Sequence, residues 1–164
     1  MNHSPIQALT FDLQGETFAL EAGLVREVLD LLPETHVPGA PAFAAAVINF
    51  RGRVIPLVDL RVAFDMPVAS SSIDDLIIVI EFPIDGEPTL VGLRADKVHE
   101  VTTIDEQHAA ETPRVGVRWR SDFIGRLVRR DGDVIIVPDL EQIFAARGAG
   151  SQSGETFPTQ QRGG

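Results

Sequence analysis

Short segments in which apolar and polar residues alternate dominate the chain. Leu9-Thr10-Phe11-Asp12-Leu13 alternates with period two, and Gln14-Gly15-Glu16 turns it into Thr17-Phe18-Ala19-Leu20. Successive strand residues face opposite sides, so this pattern predicts a hairpin with one buried face. Val25 to Leu32 is a further apolar-rich segment ending at Pro33. Asp75 to Phe82 is a near-continuous apolar run, as in a strand covered on both faces, and Asp85-Gly86 turns it into Thr89 to Leu93. Val115 to Val117, Phe123 to Val128 and Val134 to Val137 complete the set, with Asp131-Gly132 as another turn. Helical signals are few. Pro41 to Ala46 is long enough for one or two turns. Asp59 and Asp139 each stand where a helix N-cap belongs, and Leu140, Ile143 and Phe144 follow at helical spacing. Ser70-Ser71-Ser72 predicts a loop. Eleven prolines and fourteen glycines punctuate short strands, which favours small barrels over a sandwich of long strands.

The pattern occurs twice. Gly52 to Phe64 reads GRVIPLVDLRVAF and Gly132 to Phe144 reads GDVIIVPDLEQIF, with six of thirteen positions identical at an offset of 80. Upstream of each, ALEAGLVREV at Ala19 to Val28 matches GLRADKVHEV at Gly92 to Val101, five in ten, at an offset of 73. The two motifs keep their order. A period this long is no solenoid repeat; it predicts two similar half-domains packed together, with a boundary near residues 70–90.

Composition narrows the function. A chain of 164 residues buries enough surface for a core without metal or disulfide, and it contains no cysteine. No apolar run is long enough to cross a bilayer, and the start MNHSPIQ lacks a basic region followed by an apolar stretch. A soluble cytoplasmic protein is expected, without direct membrane insertion. The net charge is −10 with one lysine, Lys97, so nucleic acid is not an expected partner. The tail GAGSQSGETFPTQQRGG, residues 148–164, is polar and Gly/Ser-rich and reads as disordered; residues 1–147 form the folded unit.

Catalytic chemistry finds no support. His3, His36, His99 and His108 share no metal-ligand spacing, and no nucleophile elbow or phosphate loop is present. The expectation is no catalytic residue, no metal and no cofactor. Glu27 is an acid in the apolar segment Val25-Arg26-Glu27-Val28-Leu29, where alternation puts Val25, Glu27 and Leu29 on one face. Arg51 is its natural partner, because a guanidinium can grip a carboxylate through two hydrogen bonds. The pair is either an ordinary surface ion pair or a preformed element that orients a partner's helix.

The run VPGAPAFAAAVINFRGRVIPLVDLR, residues 37–61, resembles the signature of the CheW family of chemotaxis coupling proteins. Val25-Arg26-Glu27-Val28, Val91 to Asp96, Val98-His99-Glu100-Val101 and Pro138-Asp139-Leu140-Glu141 extend the resemblance over about residues 7 to 146. It implies an all-β fold: two pseudo-symmetric, five-stranded SH3-like barrels intertwined around a joint core, with a few short helices. It also implies a non-enzymatic adaptor. The expected partners are the regulatory domain of a CheA-type histidine kinase and the cytoplasmic hairpin tip of chemoreceptors, the methyl-accepting chemotaxis proteins, so recruitment to membrane-associated receptor arrays is expected. Carried over residue by residue, the receptor groove comprises Val25, Glu27, Ile48, Asn49, Arg51, Val98 and Val101, with Gly92 where backbones approach closely.

Three positions depart from the family pattern. Ala46 replaces a glycine, which matters if the backbone there needs positive φ. Phe50 replaces a leucine. Pro138 replaces an aliphatic residue and cannot donate to a ladder, which predicts a strand end at an edge. The first two leave room for an alternative: an adaptor or decoy in a related pathway, for surface motility or second-messenger control, that binds the kinase without standard receptor coupling. A small β-barrel enzyme or ligand-binding protein is the third reading.

Overall fold

Four two-residue turns set the architecture. Gln14-Gly15, Arg51-Gly52, Asp85-Gly86 and Asp131-Gly132 all have positive φ at both positions, from 51° to 83°. This is the turn whose twist matches that of paired strands, and glycine at its second position is free of the Cβ clash. The computed structural model describes residues 5–67, 74–105, 109–110 and 121–147. The predicted strand at 115–117, the serine loop at 70–72 and the tail from residue 148 lie outside the described residues.

The strands are β1 (Ile6–Leu13), β2 (Glu16–Glu21), β3 (Val25–Asp30), β4 (Glu34–His36), β5 (Ala46–Phe50), β6 (Arg53–Val58), β7 (Leu76–Ile84), β8 (Glu87–Ala95), β9 (Lys97–Ile104), β10 (Ala109–Ala110), β11 (Ile124–Arg130) and β12 (Asp133–Pro138). Two short helices, α1 (Leu60–Ala63) and α2 (Leu140–Arg147), follow β6 and β12. The strands form two sheets, β3-β7-β8-β6-β5-β4 and β10-β11-β12-β2-β1-β9, hereafter the first and second lobe. Each has five principal strands and a short sixth, β4 or β10. The segment 41–46 yields only a single 3-10 turn, Ala42–Ala44, before β5 begins.

The repeat maps β4, β5, β6, β8, β7 and β3 onto β10, β11, β12, β2, β1 and β9, the order in which they lie side by side. The halves of the chain have exchanged strands. The β1–β2 hairpin belongs to the lobe built by β9–β12, and the β7–β8 hairpin to the lobe built by β3–β6. A parallel seam joins the exchanged hairpin in each lobe: Leu57 and Val58 beside Gly92 and Leu93, Ile135 and Ile136 beside Thr17 and Phe18. Parallel neighbours need a long crossover, and strand exchange supplies one.

Phenylalanines at repeated positions lock the exchange. Phe64, just after α1, packs edge-on against Phe123 at 6.3 Å, and Phe144 of α2 packs edge-on against Phe43 at 6.0 Å. Phe43 and Phe123, like Phe64 and Phe144, are equivalent positions, so each half contributes the same two rings to the other. All four belong to a joint core with Phe11, Phe18, Leu60, Ile78, Ile80, Leu93 and Ile143. The caps repeat too. Asp59 N donates to Phe43 O at 2.9 Å and Asp139 N to Phe123 O at 2.8 Å. Asp59 Oδ1 accepts from Arg61 N, and Asp139 Oδ1 from Gln142 N. Smaller cores fill each barrel: Ile48, Phe50, Ile55, Leu57, Ile77 and Val79 in the first lobe, Ala8, Ala19, Ile104, Val128, Ile135 and Val137 in the second.

The three departures from the family pattern resolve simply. Ala46 lies in β5 without positive φ, so alanine carries no backbone strain there. Phe50 is 7% exposed and caps the first lobe's core. Pro138 stands at a strand end with no β2 partner, as expected: β12 is central in its sheet, but its ladder with β2 covers only Ile135 and Ile136, so the proline lies past the seam.

Two glycines are held by close approach. A Cβ at Gly92 meets Ile77 Cγ2 at 3.1 Å, Ile48 Cδ1 at 3.3 Å and Leu57 Cδ1 at 3.4 Å, all side-chain tips. A Cβ at Gly125, beside a bulge in β11, meets the Val137 carbonyl oxygen at 3.0 Å, and backbone cannot swing aside. Gly125→Ala is therefore expected to cost about 2 kcal/mol and Gly92→Ala about 1 kcal/mol. Urea midpoints check this; the reverse order would refute the packing argument.

Candidate functional site

β3 and β9 are repeat-equivalent edge strands, one in each lobe. An edge strand offers unpaired backbone and one uncovered flank, so it is where a β-rich protein meets a partner. Val25 on β3 and Val98 on β9 are half-buried against the joint core. Val28 and Val101 stand 39% and 51% exposed on the same strands, opposite Ile78 and Leu9 of that core. Each edge strand thus presents valines on the side that faces the joint core.

Strict alternation along β3 does not survive. A bulge falls between Val25 and Glu27: Val25 pairs with Ile80, but Glu27 pairs with Val79. The extra residue swaps the faces. Val25 packs on the joint core, whereas Leu29 packs on the first lobe's own core, so Val25, Glu27 and Leu29 do not share one face. The bulge also brings Val28 to the joint-core side, which sequence periodicity missed.

Glu27 and Arg51 do meet. Arg51 Nε donates to Glu27 Oε1 at 3.0 Å, and Arg51 Nη2 bonds the same oxygen. The expected two-nitrogen grip is present, but on one carboxylate oxygen. The pair ties edge strand β3 to the β5–β6 turn and so closes the first barrel. Arg51 is held with φ of 53° in that turn, its guanidinium 5.4 Å from the centre of the Phe50 ring. Asn49 Oδ1 accepts from Gly52 N at 3.0 Å, fixing the turn from beneath. Arg51 is 69% exposed at its side chain and Glu27 32%, so the pair is presented to solvent while held in one geometry.

The other two predicted residues are interior. Ile48 is 2% exposed, and Gly92 is buried among Ile77, Ile48 and Leu57. They shape the wall behind Glu27 and Arg51 instead of offering contact atoms. The structure therefore groups the eight predicted residues as a solvent-facing set on the first lobe (Glu27, Asn49, Arg51), a set on the joint-core flank (Val25, Val98, Val101) and two buried supports.

Comparison with known proteins now decides the family. The CheW-like domain family matches residues 7–148. The chain belongs to the CheW family. It is 28% identical over 138 residues to the chemotaxis protein CheW of Rhizobium meliloti, covering 84% of this chain and 86% of that one. CheW of Bacillus subtilis is 26% identical over 137 residues, covering 83% and 85%. The crystal structure of the scaffolding protein TtCheW from Thermoanaerobacter tengcongensis superposes with a TM-score of 0.74 at 32% identity, covering 88% of this chain and 96% of that one. The chain is a non-enzymatic scaffold of the chemotaxis type, with the two SH3-like barrels of that family.

The CheW signature Asp59-Leu60-Arg61 is structural. Arg61 is 4% exposed and bonds Asp59 twice, Nε to Oδ1 at 2.9 Å and Nη2 to Oδ2 at 2.8 Å. Its pKa is raised above the ordinary arginine value, chiefly by that side-chain hydrogen bond, which outweighs desolvation by burial. A raised folded-state pKa stabilises fully below the unfolded value and loses its effect only as pH rises through the raised one. For an arginine that window lies far above neutrality, so the pair contributes a constant amount around pH 7. The second copy has Glu141 at this place and only the Asp139 cap remains.

The lobes also differ at their barrel mouths. Where the first lobe has Leu29, Leu90 and Phe50 the second has Thr102, Thr17 and Arg130. A cleft of about 670 Å³ opens there, lined by Thr10, Thr17, Val98 to Thr102, Arg130 and Ile135. Arg130 reaches across to the Thr102 hydroxyl, tying β11 to β9 much as Arg51 ties the β5–β6 turn to β3. His99 Nε2 lies 3.0 Å from Asp12 Oδ2. Among the described residues no three His, Cys, Asp or Glu side chains gather as a metal site, and no helix is long and apolar enough to cross a membrane.

Proposed function

We propose that this chain couples chemoreceptors to a CheA-type histidine kinase, working in the cytoplasm at membrane-associated receptor arrays. The observation that carries the reading is the pairing of a fixed, solvent-facing Glu27–Arg51 ion pair with exposed valines on equivalent edge strands of the two lobes. A receptor tip is a helical hairpin, and a helix binds where apolar anchors find a flank and polar groups set its register. Val25, Val28, Val98 and Val101 supply the apolar side; Arg51, held by Glu27 and the Asn49 turn, supplies the polar anchor. Residues 1–147 are the CheW unit in this reading, and the segment from residue 148 is a polar tail.

The decoy reading drew on Ala46 and Phe50. Since Ala46 is unstrained and Phe50 sits in a barrel core, neither position argues against receptor coupling.

Titration calorimetry with the kinase regulatory domain, then with receptor tips in nanodiscs, tests the proposal. Saturable one-to-one binding to both is expected. Arg51→Glu is expected to weaken receptor binding at least about tenfold, roughly 1.4 kcal/mol, because it sets two acids together at the anchor. Its effect on unfolding is expected to stay within about 1 kcal/mol, as for any exposed pair. Receptor binding unchanged by Arg51→Glu removes the anchor; absence of binding to both partners removes the coupling role.

A further inference from the structure

The two barrels match in fold and differ in chemistry at one end. Ala19 pairs with Thr10 as its repeat equivalent Gly92 pairs with Val79, so Thr10 is the counterpart of Val79. With Thr17 for Leu90, Thr102 for Leu29 and Arg130 for Phe50, four apolar residues of the first lobe are polar in the second. By the same registers Ala8 stands where the first lobe has Ile77, and the smaller side chain leaves room. The first barrel is stoppered by its own side chains. The second holds the open cleft of about 670 Å³, a size that suits a small molecule.

The cleft contains polar groups that its own walls do not satisfy. Thr10 is 7% exposed, and among the described residues its hydroxyl makes no hydrogen bond. A buried hydroxyl without a partner costs free energy, which a bound polar group recovers. Thr10 stands opposite the β9 bulge that holds His99 and Glu100. Among the described residues the Glu100 carboxylate has neither an ion pair nor a hydrogen bond. Asp12 is already engaged, by His99 at 3.0 Å and by the Thr17 hydroxyl at 3.1 Å. On the far side Arg130 Nη1 donates to the Thr102 hydroxyl, and Arg130 Nε lies 3.8 Å from Asp131 Oδ2. Thr102 therefore accepts from Arg130 and keeps its own proton to donate, while Thr17 donates to Asp12 and keeps lone pairs to accept. The lining has a donor end, Arg130 and Thr102, and an acceptor end, Glu100 and Thr17. Glu100 and Thr102 are two residues apart on one strand, so the two ends are separated by roughly 7 Å.

Opposite charges that line one cleft without pairing select a molecule that carries both. A simple anion gains from Arg130 and is repelled by Glu100; a simple amine meets the reverse; a short zwitterion satisfies both ends. We propose that the cleft of the second lobe binds a free α-amino acid with a small aliphatic side chain. Its carboxylate accepts from Arg130 and Thr102, and its ammonium donates to Glu100 and Thr17. Thr10 takes a hydrogen bond at the buried end, and the aliphatic side chain lies toward Ile135, which lines the same cleft. The first lobe, with Leu29, Leu90, Val79 and Phe50 at these places, offers no such site. The cleft is open to solvent, so the affinity is modest, with Kd on the order of 1 mM. The inference goes beyond the coupling role and does not depend on it.

Amide NMR spectra of the full chain, titrated with L-valine up to about 50 mM, read the result. Saturable shifts centred on Thr10, Thr17, Glu100, Thr102 and Arg130 are expected. Two analogues test the charges: 3-methylbutanoate lacks the ammonium and isobutylamine lacks the carboxylate. Each is expected to bind at least about tenfold more weakly than L-valine, as are Arg130→Gln and Glu100→Gln with L-valine itself. Thr10→Val keeps the size and removes the hydroxyl; it is expected to weaken binding at least about threefold while leaving the urea midpoint no lower. Circular dichroism verifies that every variant is folded. No saturable shift with L-valine overturns the proposal. So does an analogue that binds as tightly as L-valine, or folded Arg130→Gln and Glu100→Gln variants that bind as the native chain does. Kinase and receptor titrations are separate measurements, so failure of one idea is not mistaken for failure of the other.

Discussion

Phe64→Ala is expected to lower the unfolding free energy by about 3–5 kcal/mol, a large part of the roughly 5–15 kcal/mol that holds a domain of this size together. Phe64 is fully buried and touches two rings from distant parts of the chain, Phe18 at 5.5 Å and Phe123 at 6.3 Å. Its side chain fills space between the lobes, and the flanking strands are pinned by ladders on both sides, so the cavity cannot collapse. The strand exchange adds a second expectation. Each lobe is built from both halves of the chain and buries side chains in the joint core, so neither can unfold alone without exposing the other's share of that core. Urea unfolding followed by circular dichroism is expected to show one transition in the native chain and in the variant. A loss under about 1 kcal/mol, or two separated transitions, would remove the joint core from its central place.

Arg94→Ala is the other large effect, again about 3–5 kcal/mol. Arg94 on β8 is 7% exposed, with Nη2 2.5 Å from Glu34 Oε1 on β4 and Nη1 4.0 Å from Asp75 Oδ2 just before β7. The cation gathers two acids from separate parts of the chain. Glu34 is 39% exposed at its side chain and can turn to water, but Asp75, at 7%, cannot. Removing the arginine takes from a buried carboxylate one of the positive charges near it, Arg61 being another, and that cost dominates. Arg94→Ala combined with Asp75→Asn is therefore expected to recover at least half of the loss in chemical denaturation. A double variant no more stable than Arg94→Ala alone would show that Asp75 is not what makes the single change costly.

Much of the fold was legible because turns and repeats are local signals. Gln14-Gly15, Arg51-Gly52, Asp85-Gly86 and Asp131-Gly132 need a left-handed backbone, and glycine announces it. The caps at Asp59 and Asp139 were equally plain. The site was legible in part. Glu27 and Arg51 were matched by charge and motif, and they bond. Val28 was missed, and Ile48 and Gly92 proved interior, because a bulge and a barrel wall decide which side of a strand faces out. Neither leaves a mark in a one-dimensional pattern.

The sequence by itself determined the all-β class, the duplication and its offsets, the hairpin turns, the helix caps and the family. The class, the turns and the caps depend on neighbouring residues, whose steric and hydrogen-bonding preferences act within a few positions; the duplication and the family are read from matching strings of residues, which need no folding to be seen. Only the tertiary structure decided that the halves exchange hairpins, that Arg61 and Arg94 are buried with their acids, and that the bulge in β3 separates Val25 from Leu29. These depend on contacts between residues far apart in the chain. The free energy of closing such loops is recovered only when the whole core assembles, so no local segment carries their signal.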